Sequence, residues 1–303
     1  MKQKNITTFL KIILVLSCVT FFSCNKEEKT DFASAKKDEL AIYLNDTIPM
    51  NACNPYDFAG ALHNYLLANC NTITLHTYNQ SGDMSLPLSI TISNQILSDY
   101  GFDTLYNRVN TTMIWQNLDN FFVDYFQNLK SQPCIQDAML RIISGVYQLA
   151  LDHVSDYASY KKYIAAEEEK ILNDDYFSDE EQVILLTTTS VLRHSLYYWH
   201  TFDFNIVPSK GLPKWAKWAI VGVADAAGAV GGALAGATAG SAAASVIPGI
   251  GTSVGAAAGA VAGSVTGAVS ASNGATALCE KIDKLIDEKV PETNNNNSNN
   301  GGN

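Results

Sequence analysis

Ala226-Ala227-Gly228-Ala229-Val230-Gly231-Gly232-Ala233-Leu234-Ala235-Gly236-Ala237-Thr238-Ala239-Gly240 carries glycine at every fourth position, and after Pro248-Gly249 the series resumes at Gly251, Gly255, Gly259, Gly263 and Gly267. Residues four apart lie above one another on a helix, so each series predicts a helix with one bare face. A bare face lets a second helix approach very closely. In water each such glycine disfavours helix by about 1 kcal/mol relative to alanine, so a whole register of them requires a packing or membrane reason. The break at Val246-Ile247-Pro248-Gly249 separates two arms, roughly Trp218 to Ser245 and Gly251 to Ser272. Each is long enough, at about 1.5 Å per residue, to cover a hydrocarbon layer of about 30 Å. The stretch Ala226 to Cys279 holds 54 residues without one side chain charged at neutral pH. Ala, Gly, Ser and Thr dominate it, with Leu234 its only leucine before Leu278, so the apolar driving force for insertion is small. Membrane association therefore stands beside two alternatives, packing on the rest of the chain and self-association.

The flanks fit a hairpin whose ends lie together. Residues 206–218 read as an interfacial linker with Lys214, Trp215, Lys217 and Trp218, the residue types that settle at a water–lipid boundary. Residues 219–272 form the hairpin, and 273–290 read as a charged amphipathic helix containing Glu280, Lys281, Asp283, Lys284 and Asp287. Residues 291–303, an Asn/Ser/Gly tail, have nothing to bury and read as disordered. The arrangement resembles the glycine-zipper hairpins of certain envelope proteins and the Gly/Ala-rich bodies of some bacteriocins and pore-forming factors.

Upstream, residues 51–205 read as an all-α domain. Phe58, Leu62, Tyr65 and Leu66 follow Asn54-Pro55-Tyr56-Asp57 at helical spacing, with Asn54 or Asp57 able to cap and Pro55 suited to a first turn. The alternation at 71–78 is broken by Ser81-Gly82-Asp83 and reads as an extended loop. Further helices are predicted from Ile114 to Leu129, Ile135 to Leu151 and Tyr157 to Leu172, and from a capping box of Ser178 with Glu181 through to Trp199. The Glu167-Glu168-Glu169-Lys170 end of the third reads as a solvated face. The fold class is a helical bundle followed by a Gly/Ala-rich helical hairpin.

The stretch Asn54-Pro55-Tyr56-Asp57-Phe58-Ala59-Gly60-Ala61-Leu62-His63-Asn64 resembles one near the start of many uncharacterised Bacteroidetes lipoproteins, usually Asn-Pro-Tyr/Phe-Asp-Tyr-x-Gly-x-x-His-Asn. It covers eleven of the 280 residues beyond the leader, and Phe58 replaces the usual Tyr. The resemblance implies an envelope location and a helical domain, and no reaction. Tyr56 and His63 are spaced to share a helix face over two turns. His63 is thus either a base or ligand oriented by a nearby carboxylate, or, together with Asn64, a side chain that hydrogen-bonds the preceding turn and fixes the entry to the domain.

Residues 1–23 have a basic start at Lys2 and Lys4, an apolar run from Ile12 to Leu16, and Ser23 before Cys24, the layout of an export signal. Ser23-Cys24 resembles the lipobox of bacterial lipoproteins, with Phe21 a poor match to the usual Leu, which implies that Cys24 is acylated and becomes the first mature residue. Lys26-Glu27-Glu28 resembles the signal that sends Bacteroidetes lipoproteins to the outer face of the outer membrane. Residues 24–50 then form a tether, so the expected partners are the membrane, through Cys24 and the hairpin, and a second copy or another envelope protein. An exported chain permits disulfides, and Cys53, Cys70, Cys134 and Cys279 allow three pairings, of which Cys53 with Cys70 is preferred because both flank one predicted helix.

The chain has 30 acidic against 20 basic side chains, and loss of residues 1–23 with Lys2, Lys4 and Lys11 makes the balance more acidic. Nucleic acid is excluded as a partner by that field. No HExxH, Walker loop, nucleophile elbow or dinucleotide fingerprint occurs, so no cofactor, metal or catalytic residue is assigned. Asp152, His153 and Asp156, with His194 and His200 on another helix, could assemble a metal or acid–base centre in space, a hydrolase with His63 and an acidic partner is the remaining enzymatic reading, and Tyr197-Tyr198-Trp199-His200 is a candidate ligand rim.

Overall fold

The computed structural model describes residues 39–81, 132–202, 214–245 and 252–289. Among them are six long helices: α1 (Phe58–Ser81), α2 (Pro133–Leu151), α3 (Tyr157–Asn173), α4 (Asp179–Thr201), α5 (Lys214–Ala244) and α6 (Thr252–Lys289). No strand occurs among the described residues, so the all-α expectation holds.

Helix α4 is the axis. Its start is fixed by the predicted capping box: Ser178 Oγ accepts from the Glu181 backbone N–H at 3.3 Å, and Glu181 Oε2 accepts from the Ser178 N–H at 2.9 Å. Every residue from Val183 to Leu196 is buried, and α1, α2, α3, α5 and α6 all pack on it. A helix buried all round is expected to be apolar all round. This one also buries Thr187, Thr188, Thr189, Ser190, Arg193, His194 and Ser195. Thr187 and Thr188 satisfy their hydroxyls on the carbonyls of Val183 and Ile184, each at 2.8 Å, so they cost little.

Helix α1 lies on α4 and α6. Its buried Ala59, Tyr65, Leu66 and Cys70 pack with Val261, Val265 and Val269, one four-residue row of α6. Each buried valine contributes about 1.5 kcal/mol or more. The helix begins at Phe58 and runs unbroken to Ser81, so 71–78 is helical and not the extended loop its alternation suggests. Extending an already packed helix adds one hydrogen bond per residue, which outweighs a weak local preference for extended chain.

Helix α2 opens with Pro133 and ends in a Schellman turn, with His153 N–H bonded to Ala150 O and Val154 N–H to Leu149 O, and His153 at φ 58 where glycine is usual. Asp156 caps α3 by accepting from the Ser159 N–H at 2.9 Å. The acidic end of α3 differs from its solvated reading. Glu167 and Glu168 are buried, because each is met by cations: Glu167 by Arg141 and Lys170, Glu168 by Arg193.

Helices α5 and α6 run antiparallel with their glycine faces together. Gly228 meets Gly267, Gly232 meets Gly263, Gly236 meets Gly259 and Gly240 meets Gly255. A Cβ on Gly236 would stand 2.7 Å from the Gly259 carbonyl carbon and 3.1 Å from the Gly263 Cα, so the backbones touch where any side chain would part them. Helix α6 continues to Lys289 without a break, so the charged stretch after 272 extends the second arm and is no separate element. One cluster of buried residues runs from Ile135 and Ile164 through Leu192 to Val230 and Ala260, so the arms share a core with the upstream helices. Trp218, expected at a membrane interface, is instead buried with its ring 4.5 Å from that of Tyr160, and Lys217 is buried beside it.

The leader, Cys24, the helix predicted at Ile114 to Leu129, Gly251 and the 291–303 tail lie outside the described residues.

Candidate functional site

Two buried polar clusters tie the elements together, and both use α4. The first gathers the Asn54–Asn64 stretch. Arg193, fully buried, donates to Glu168 Oε1 at 3.1 Å, to Asp57 and to the Pro49 carbonyl. Asn51 and Asn54 donate to the two Glu168 oxygens at 2.6 and 2.7 Å, and Asn54 also reaches the Leu186 carbonyl at 2.9 Å. Burial pushes the Asp57 carboxyl up, but the hydrogen bond from His194 and the charge of Arg193 outweigh it and hold the group below its ordinary value. Burial alone would lower Arg193; the carboxylates of Glu168 and Asp57 overcome that and raise it.

The rest of the motif docks α1 on the same face of α4. Asn54 Oδ1 accepts from the Tyr56 N–H at 2.9 Å, forming the turn in which Pro55 sits. Ser190 Oγ donates to the Asp57 carbonyl at 2.8 Å and accepts from the Gly60 N–H at 3.0 Å. A Cβ on Gly60 would lie 2.5 Å from both Ser190 O and the His194 ring, so glycine is required by close approach. Asn64 Nδ2 donates to the His194 carbonyl at 2.8 Å. Asn54, Asp57, Gly60 and Asn64 thus seat α1 against α4, whereas His63 faces Asp225 of α5 and Ser272 of α6 rather than the preceding turn.

The second cluster surrounds Asp225 of α5. Its carboxylate accepts from Ser195 and Ser272 hydroxyls and from Trp199 Nε1 at 3.2 Å, and His63 Nε2 stands 3.7 Å from Oδ2. Four helices, α1, α4, α5 and α6, each contribute a member. Burial pushes the Asp225 carboxyl up to about 7, against the opposing pull of its three donors. Burial also lowers His63 to about 4, only partly offset by Asn64, whose Oδ1 is 3.1 Å from Nδ1. Ser272 Oγ lies 3.5 Å from His63 Nε2, which brings Ser, His and Asp together. The order is wrong for a nucleophile relay, because Ser272 and Asp225 share the same imidazole nitrogen while the other faces an amide. All three are buried, so no substrate atom reaches them.

The other sequence candidates are not brought together. Asp156 is spent on its cap, Asp152 accepts from Gln148 at the surface, and His200 packs on the rings of Tyr157 and Trp218. Among the described residues no group of His, Cys, Asp and Glu has metal-binding geometry. Trp199 is core and not rim. The preferred Cys53–Cys70 bridge is not made: Cys53 is exposed ahead of α1 and Cys70 is buried within it. Phe58 to Cys70 alone spans twelve helical residues, about 18 Å, far beyond the reach of about 7 Å that a disulfide allows. Sequence reading passed over Asp225, whose signal is its isolation as the sole charge between Lys217 and Glu280.

Comparison with protein-family models, curated proteins and solved structures returns no match to this chain.

Proposed function

We propose that this is a lipid-anchored envelope protein, acylated at Cys24 and held on the outer face of the outer membrane, that works by contact through a glycine-zipper hairpin and not by turnover. The observation that carries the reading is the run of four glycine-to-glycine contacts between α5 and α6, which brings two helices of weak intrinsic stability into backbone contact. By length and composition both arms suffice to cross a membrane. Their inner half is nonetheless occupied by protein, because Asp225 is satisfied by α4 and α6 and faced by α1. The outer half of the first arm, from Gly231 to Ala244, is about 21 Å long against a hydrocarbon layer of about 30 Å. Contact with a lipid surface, a second copy or another envelope protein fits that length better than spanning. A membrane-perturbing effector is the second reading, favoured by the apolar length of the arms; it requires α5 and α6 to leave α4 and expose Asp225.

Mass analysis of Cys24, with carbonate extraction and protease protection of full-length protein against a Cys24→Ala variant, tests this. The expected result is an acylated Cys24 in the parent and release of the variant as soluble protein. Protection of residues 219–272 in a membrane pellet without acylation would instead establish the hairpin as a membrane element. Leakage of vesicles by the full-length variant would favour the effector.

A further inference from the structure

Of the six large hydrophobic side chains exposed among the described residues, three fall within seven positions: Ile42 at 71%, Leu44 at 39% and Ile48 at 52% exposure. The backbone that carries them is held in place. Leu40 and Tyr43 pack on the α1–α6 cluster, the half-buried Tyr43 with its ring 5.8 Å from that of Tyr65, and Ile42 between them is the most exposed of the three. Lys161 Nζ fixes the following turn by donating to the Ile48 carbonyl at 2.6 Å.

We infer that this segment, residues 39–48, is a membrane-seating face, resting on the leaflet that holds the acyl chains of Cys24. The inference rests on the lipid-anchor reading and adds to it the surface by which the folded domain meets the lipid. Fourteen residues separate Cys24 from Glu39, so this is the described segment that follows the anchor most closely along the chain. The chemistry favours lipid over protein. The exposed groups are aliphatic and lack the Trp, Tyr and Arg anchors that dominate protein interfaces. Lys161 and the exposed Lys162 supply cations at the rim, offset by Glu39 and Asp46, so insertion is driven by aliphatic burial more than by charge.

The test uses the full-length acylated protein in vesicles of phosphatidylethanolamine and phosphatidylglycerol, with the photoreactive residue p-benzoyl-phenylalanine at position 42, or at position 151 as an exposed control. The expected result is a lipid adduct at 42 and none at 151. A vesicle-bound, acylated protein that gives no lipid adduct at 42 overturns the seating face while leaving the anchor intact, and a protein adduct there does the same in favour of a protein partner. Absence of acyl mass on Cys24 is the separate failure of the anchor reading. In a Cys24→Ala background, Ile42→Ser with Leu44→Ser and Ile48→Ser should lower vesicle partitioning by at least about tenfold. Leu151→Ser should not. Equal partitioning of the triple variant and its parent overturns the proposal.

Discussion

His63 Nε2 and Asp225 Oδ2 stand 3.7 Å apart in the interior, imidazole on α1 and carboxylate on α5, with their proton affinities pushed in opposite directions. Asp225 rises from 3.8 to about 7, so the folded state holds a proton that the unfolded chain releases, and stability is lost as pH rises between those values. His63 falls from 6.5 to about 4, so its contribution is complete above 6.5 and is lost as pH falls toward 4. Over the shared window the two slopes oppose each other.

Single substitutions should therefore uncover them. Relative to the parent, Asp225→Asn should make stability fall on acidification from pH 6.5 to about 4, by roughly 3 kcal/mol. His63→Gln should make it rise over the same range. Urea unfolding at several pH values measures both, and parallel profiles for the parent and both variants would show that the pair does not set the pH dependence.

Gly236→Ala should destabilise by at least about 3 kcal/mol although alanine is the better helix former by about 1 kcal/mol, because the new Cβ meets backbone that cannot yield. Ala242→Ser, exposed on the same helix, should stay within about 0.5 kcal/mol. Denaturant midpoints separate the two, and a neutral Gly236→Ala would mean the arms do not touch there.

How much of this was legible in the sequence depends on whether the signal is local. The capping box of Ser178 and Glu181, the start of α3 and the glycine rows all depend on neighbours within a turn or two, and they appear where the pattern placed them, while α2 begins two residues before the expected Ile135. Burial of Glu168 does not follow from its neighbours, because its partners Asn51 and Asn54 precede α1 and Arg193 lies on α4. The same holds for Trp218, whose aromatic and basic surroundings match an interface but whose ring finds Tyr160. Helix at 71–78 was hidden for a related reason, since its continuation depends on how the preceding half of α1 packs.

Arg193→Leu should cost about 3–5 kcal/mol, because it leaves Glu168 buried and facing Asp57 without a cation. Adding Glu168→Met should recover a large part of that loss, since an apolar pair needs no counter-charge. A double-mutant cycle by thermal or urea unfolding reads the coupling, and strict additivity would deny the pair.

Gly60→Ala should destabilise by about 1–3 kcal/mol and expose the α1 seat, read as faster amide exchange at the start of α1 and at Ser190. An unchanged exchange pattern would mean that α1 reaches α4 by other contacts.

The glycine rows repeat every four residues on both arms, so sliding one arm by about 6 Å brings glycine opposite glycine again. Like the teeth of a rack, the rows guide the sliding motion without choosing a stopping point. The choice falls to Asp225 and its bond from Ser272. A slip of one tooth in one direction would set Ala268 in place of Ser272, and alanine has no hydroxyl to offer. One carboxylate thus acts as a detent against slippage in that direction.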